Sequence, residues 1–407
     1  MDLDQFAALR TPEGSAALAA AARVAGGDPL TAAAALRSTG LPAGLASAAL
    51  TQAELRRRAV GKFGPAAAGM FLTRAGLEQA TRGVVAARRA ERLRAAGVRV
   101  LADLGCGLGA DALAAARAGI RVYGVEADPL TAAMAAANAE AAGLAELFTV
   151  ECGDATAFDV DRVDGVFCDP ARRRAGTGRR IFDPNAYSPP WDFVVGLAER
   201  VPHTVVKVAP GIDHALVPAG AEAEWVSVDG DLVEAALWCG ELAQVPRRAT
   251  LLRVREGSPV DASGSGRVPC CQLTGSGDAE APVGPARRFL YDPDPAVVRA
   301  HLVAELAETL GATLADPSIA YLYADAPTPT PFARCLEVTD VLPFSLKRLR
   351  ALLRERRVGR VEILKRGSAL EPEKLRRDLR LAGDEAASLV LTRVAGAPTV
   401  LVCQPVG

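Results

Sequence analysis

The chain has 407 residues, which at roughly 150 residues per domain excludes a single small module and implies two or three domains. Apolar residues make up 50% and charged residues 23%, the proportions of ordinary soluble proteins, which excludes extensive disorder. With 47 basic and 48 acidic side chains the net charge is −1, so a surface for a polyanion has to come from local clustering.

No run approaches the roughly 18 apolar residues of a membrane span, and Met1-Asp2-Leu3-Asp4 lacks the basic start of a secretion signal. A cytoplasmic protein with no membrane partner is expected. The eight cysteines form no C-x-x-C pair and lie far from the three histidines, so neither a metal site nor a disulfide framework is expected.

Residues 1–95 read as a helical amino-terminal domain, because alanine and leucine dominate and Asp28-Pro29 places a capping acid before a proline. Its last element reads as one basic helix from about Arg74 to Ala95, with Arg82, Arg88, Arg89, Arg92 and Arg94 on a solvated face. From 96 to 255 short apolar runs alternate with helical patterns, the texture of a parallel sheet covered by crossover helices. Strands are predicted near Val98 to Asp103, Arg121 to Glu126, Phe148 to Cys152, Gly165 to Asp169, Thr204 to Val208, Trp225 to Val228, Ala235 to Cys239 and Thr250 to Val254. Residues 256–286, rich in Gly, Ser and Pro, read as a loop or linker. Residues 287–407 read as a small α+β domain, opened by a helix from Asp294-Pro295 to about Leu310. The fold class is therefore α/β: a Rossmann-like doubly wound sheet with a helical amino-terminal domain and an α+β carboxyl-terminal domain.

The informative stretch is Val100-Leu101-Ala102-Asp103-Leu104-Gly105-Cys106-Gly107-Leu108-Gly109, an apolar strand, a glycine turn and a helix start. Glycines let the backbone approach a ligand closely, and the helix offers free N–H groups. Gly105, Gly107 and Ala110 also satisfy the loose dinucleotide pattern, so an NAD-dependent oxidoreductase is a competing reading. Asp103 decides against it, since a carboxylate there repels a pyrophosphate but attracts the cationic amino-acid end of S-adenosyl-L-methionine. Glu126, followed by Ala127, ends the second strand, where an acid can accept both ribose hydroxyls. Asp154, followed by Ala155, ends the third strand, where it can accept from an adenine amino group.

On these residues and Asp169-Pro170 the chain resembles the class I S-adenosylmethionine-dependent methyltransferases. Phe71-Leu72-Thr73-Arg74-Ala75-Gly76-Leu77-Glu78-Gln79-Ala80-Thr81, Asp169-Pro170-Ala171-Arg172-Arg173 and Lys365-Arg366-Gly367 resemble, more narrowly, the bacterial methyltransferases with a THUMP-like carboxyl-terminal domain. That resemblance implies an RNA substrate, ribosomal or transfer.

The transfer site is expected at Asp169, Pro170 and Arg172, with Asp169 also beside the cofactor. Amino-group methyltransferases resemble this segment through an Asp or Asn followed by Pro-Pro and an aromatic; here Ala171 and Arg172 depart from that pattern. Arg172 can stack on a base, and Arg173 and Arg174 can hold phosphates. Cys168 precedes Asp169-Pro170, which argues against a cysteine nucleophile for pyrimidine carbon methylation. Ribose methylation by Asp169, Lys207 and Glu234 is a weaker option, a structural Lys207 being the simpler reading. Between Lys347 and Arg380 basic residues greatly outnumber acids, and Lys365 and Arg366 are the cations expected to grip RNA. The reading of another class is a non-catalytic RNA-binding or ribosome-assembly factor that retains the fold.

Overall fold

The computed structural model describes residues 1–38, 40–170, 188–254 and 268–406. They fall into two units, one of Met1–Glu222, Ala236–Gln244 and Val254–Pro269, the other of Ala223–Ala235, Val245–Arg253 and Cys270–Gly407.

The first unit opens with helices α1 (Leu3–Leu9), α2 (Pro12–Val24), α3 (Pro29–Arg37), α4 (Ala43–Phe63), α5 (Arg74–Gln79) and α6 (Gly83–Ala95). Asp2, Thr11, Asp28 and Thr73 each accept a backbone N–H at the start of a helix, satisfying donors that have no partner inside it. Ala17, Ala21, Ala49 and Ala53 are buried between α2 and α4, where small side chains let two helices approach closely.

The basic stretch 74–95 departs from its sequence reading twice. It is two helices, because Lys62 Nζ takes the carbonyls of Leu77 (2.7 Å), Glu78 (2.9 Å) and Ala80 (2.9 Å) and so ends α5. Its arginines are also not all solvated. Arg89 is buried 3.1 Å from Asp111 with its guanidinium over the Phe167 ring. Arg92 grips Glu222 through both nitrogens (2.7 and 2.8 Å) and stacks on Trp238. Paired carboxylates and aromatic faces offset the cost of burying these cations.

Five parallel strands follow: β1 (Val100–Leu104), β2 (Arg121–Glu126), β3 (Phe148–Cys152), β4 (Gly165–Cys168) and β5 (His203–Val208). Helices α7 (Ala110–Arg117), α8 (Pro129–Ala141) and α9 (Trp191–Arg200) connect or flank them. The order is β3-β2-β1-β4-β5, which reverses between β1 and β4. In an open α/β sheet the crevice beyond the strand ends at such a reversal is where ligands bind. Leu104 pairs with both Val125 and Cys168, so Gly105, Glu126 and Asp169 leave the sheet at one level.

In the second unit β6 (Glu222–Val228) runs parallel to β8 (Arg247–Leu252), which pairs antiparallel with β9 (Cys270–Gly275); β7 (Asp231–Trp238) divides between the units. Strand β9 lies inside the segment read as a linker. Its side chains alternate between exposed and half-buried, a period of two that the surrounding glycines and serines masked.

A seven-stranded sheet completes this unit: β10 (Phe289–Pro293), β11 (Thr313–Leu314), β12 (Leu322–Ala324), β13 (Ala333–Pro343), β14 (Val358–Lys365), β15 (Glu385–Val394) and β16 (Ala397–Pro405), in the order β11-β12-β10-β13-β16-β15-β14. Its helices are α10 (Pro295–Arg299), α11 (Val303–Leu310), α12 (Leu346–Glu355) and α13 (Pro372–Leu379). The expected helix from Asp294 to Leu310 is thus two, parted at His301, where φ is +59°. Strand alternation sorts the core. Leu389, Leu391, Val400 and Val402 pack with α12 and α13, whereas Val390, Leu401 and Cys403 pack with Tyr321 and Tyr323. Among the described residues no helix is long and apolar enough to cross a membrane.

Candidate active site

The glycine turn is built by its backbone. Gly105 N–H and Cys106 N–H both donate to Val125 O, at 2.9 and 3.0 Å, tying the turn to the end of β2. Gly109 has φ +83°, and a Cβ there would stand 2.7 Å from the Phe148 ring, so both conformation and space demand glycine. At Gly105, φ +86°, a Cβ would point at the Asp169 carbonyl from 3.5 Å. The end of β4 therefore lies beside the turn.

Asp103 is 1% exposed, and neither carboxylate oxygen has a hydrogen-bond partner among the described residues. Burial drives its pKa well above the usual carboxylate range, with the nearby Asp111 and Asp169 carboxylates adding to the effect and Arg89 and Lys207 opposing it. A buried, unpartnered carboxylate costs several kcal/mol if ionised, so the free protein keeps a proton there unless a cation arrives. Cys106 in the turn is buried and its thiol is pushed up by that burial and by Asp103 and Glu126, which makes it a packing residue.

Glu126 accepts from Gly107 N–H (3.0 Å) and Asp128 N–H (2.9 Å) through different oxygens. A carboxylate offers about four lone-pair sites, so two stay open for a pair of hydroxyls, beside the exposed Ala127. Asp154 caps the turn Ala155–Ala157 and accepts from Thr156 N–H and Oγ1 through Oδ1. These bonds hold its pKa below the usual value, and Oδ2 takes no donor among the described residues.

At the end of β4, Asp169 Oδ2 is 2.6 Å from Lys207 Nζ on β5. Their side chains are 29% and 10% exposed. The sequence brings Asp169 and Lys207 together, with Glu234, only as the weaker ribose-methylation option and favours a structural Lys207, which stands out because only five of the 47 basic residues are lysines; the direct ion pair is what the structure adds. Pro170 follows Asp169 and is buried. Arg172, Arg173 and Arg174 lie outside the described residues. In the second unit Lys365 is exposed, 3.7 Å from Glu371. Arg366 is committed internally, 2.8 Å from Asp292, bonded to Pro293 O and stacked on Tyr321, so its guanidinium braces the sheet. Among the described residues no group of acids, histidines and cysteines is arranged to hold a metal.

Residues 101–173 match the methyltransferase domain family, 333–405 the THUMP domain-like family, and 2–59 a domain of unknown function, DUF8688. The chain is 36% identical over 366 residues to an uncharacterized S-adenosylmethionine-dependent methyltransferase of Mycobacterium tuberculosis, covering 86% of this chain and 95% of the relative. The same figures hold for the protein of strain H37Rv. The chain belongs to the S-adenosylmethionine-dependent methyltransferases. A crystal structure from Porphyromonas gingivalis W83, assigned as a methyltransferase, superposes with a TM-score of 0.73 at 20% identity, covering 97% of this chain and 99% of that one. That similarity shows a common fold along nearly the whole methyltransferase chain.

The residues present fit the cofactor of this family. The two buried oxygens of Asp103, without a hydrogen-bond partner among the described residues, can accept from the ammonium of the cofactor's amino-acid end. A Cβ at Gly107, where φ is +55°, would meet nothing within 4 Å, so the turn leaves the surface above it open.

Proposed function

We propose that this methyltransferase acts on structured RNA, ribosomal or transfer, with the acceptor presented to Asp169 and the THUMP-like region gripping the backbone. When bound, S-adenosylmethionine supplies an electrophilic methyl group whose bond to sulfur breaks with the electron pair left on sulfur. The chain's part is to bind and orient. Asp103 takes the cofactor's ammonium and Glu126 its ribose, while Asp154, beside Ala155, takes the adenine edge. Asp169, with its Oδ2 on Lys207, has Oδ1 to accept a hydrogen bond from the acceptor, and Pro170 stiffens the turn behind it. An acceptor held in line about 3 Å from the methyl carbon needs little further chemistry.

One observation carries the RNA reading. Thirteen basic side chains stand between Lys347 and Arg380. Lys347, Arg348 and Arg354 on α12, Lys374 and Arg377 on α13, and Arg360 and Arg380 are all exposed and form no ion pair among the described residues. The apolar sides of both helices, Leu349, Leu353, Leu375 and Leu379, are buried against one face of the sheet, which turns their cations outward together. Neutralised phosphates release counterions, so such a face should bind RNA with a steep salt dependence.

Replacing Lys347, Arg348, Lys374 and Arg377 by glutamine is expected to weaken RNA binding by at least about tenfold and to lower the log–log salt slope by roughly 3. Binding of S-adenosylhomocysteine should be unchanged. Filter binding at several salt concentrations, with total RNA from cells lacking the gene, checks this. Methyl transfer from labelled S-adenosylmethionine into that RNA checks the reaction; label entering only the protein fraction would overturn the RNA reading, and RNA binding without transfer would leave a binding factor.

A further inference from the structure

We infer that Lys207 is a positioning residue for methyl transfer, its ammonium fixing the Asp169 carboxylate in the orientation that receives the acceptor. This rests on the reading that places the transfer site at Asp169.

Three observations converge on it. Lys207 is almost buried, and lysine is among the side chains that are almost never fully buried unless paired. Oxygens that offset the cost of its burial include Asp169 Oδ2 at 2.6 Å and the Gln79 carbonyl at 3.4 Å. Gln79 is the last residue of α5, so one ammonium joins β5, the end of β4 and a helix of the amino-terminal region. The third observation is Lys62. Its ammonium holds the same end of α5 through three carbonyls, and its pKa is lowered to about 8, by burial first and then by the charge of Lys207 and of Arg82. Lys62 keeps the helix end in place and repels Lys207, which favours the bond from Lys207 to the Asp169 carboxylate.

The consequence is geometric. An aspartate on a strand end can turn about two torsions, and a side-chain carboxylate that swings by 1 Å loses about a hundredfold in rate when it orients a reactant. A charge-assisted bond to one oxygen removes that freedom while leaving the other to accept. Arginine would fill this position with a wider, planar fork; the compact ammonium of lysine fits between one carboxylate oxygen and one carbonyl.

The test uses the full chain, labelled S-adenosylmethionine, and the total RNA and protein of cells lacking the gene as acceptor. Lys207→Met is expected to lower the rate at saturating S-adenosylmethionine by about 30- to 100-fold. The KM for S-adenosylmethionine and the Kd for S-adenosylhomocysteine should stay within about threefold, since Asp103 and Glu126 are untouched. Lys207→Arg, which keeps the charge, should recover at least about tenfold of the loss, and should fold if the methionine variant does not. Adding Lys207→Met to Asp169→Ala should cost nothing further, because the orientation that it supplies is already gone. If Asp169→Ala is inactive while Lys207→Met keeps wild-type turnover, the inference on Lys207 fails alone. If Asp169→Ala is itself active, the transfer-site reading fails and takes the inference with it. A loss in Lys207→Met that appears in KM and Kd, with no rescue by arginine, would assign Lys207 a purely structural role.

Discussion

Asp103→Asn is expected to weaken S-adenosylhomocysteine by at least about 100-fold in calorimetric titration, with the fold intact. The ligand's ammonium meets two buried oxygens that have no other partner among the described residues, and a charge-assisted bond lost in a buried site costs about 3 kcal/mol or more. The asparagine is nearly isosteric and neutral, so the free protein does not suffer. The sign of the pH effect follows from the raised pKa of Asp103. The free folded protein holds a proton that the unfolded chain has released, so this residue's contribution to stability falls as pH rises from the ordinary carboxylate value through the raised one. A bound ammonium reverses the preference, and the proton leaves. Titrations in buffers of different ionisation enthalpy should therefore show proton release by the wild type and none by Asp103→Asn. Equal affinity in the two proteins would remove Asp103 from the site.

Asp169→Asn is expected to lower turnover by about 10²- to 10³-fold while changing the Kd of S-adenosylhomocysteine by less than tenfold. Oδ1 remains able to accept, but the charge that holds Lys207 at 2.6 Å is gone and the acceptor loses its anionic partner. Removing a counter-charge from a nearly buried lysine also costs stability, on the order of 1–3 kcal/mol, so thermal denaturation belongs beside the kinetics. Wild-type turnover with an unchanged melting temperature would place the acceptor elsewhere.

The parts of this molecule that were legible in the sequence are those that depend on neighbours along the chain. Strands β2 and β3 lie where their apolar runs put them, and Gly105 and Glu126 come to one level because the one follows and the other ends a parallel strand. What was not legible depends on partners far away in sequence. The break between α5 and α6 falls at Ala80-Thr81-Arg82, with neither glycine nor proline, and is imposed by Lys62. The arginines of α6 look solvated until Asp111, Glu222, Phe167 and Trp238 close over them. Strands β11 and β12, of two and three residues, are too short for alternation to register. Arg366 read as a free cation because Asp292 stands 74 residues away. Asp169 and Lys207 could be grouped from their strand positions, but their direct contact across 38 positions shows only when β4 and β5 lie side by side.

The most direct measurement is a crystal structure of the protein with S-adenosylhomocysteine. The expected result has the ligand's amino group about 3 Å from an Asp103 oxygen, its ribose hydroxyls on Glu126, and its sulfur turned toward Asp169. A ligand bound elsewhere, or bound in the turn with both Asp103 oxygens still unpartnered, would contradict the assignment of this site.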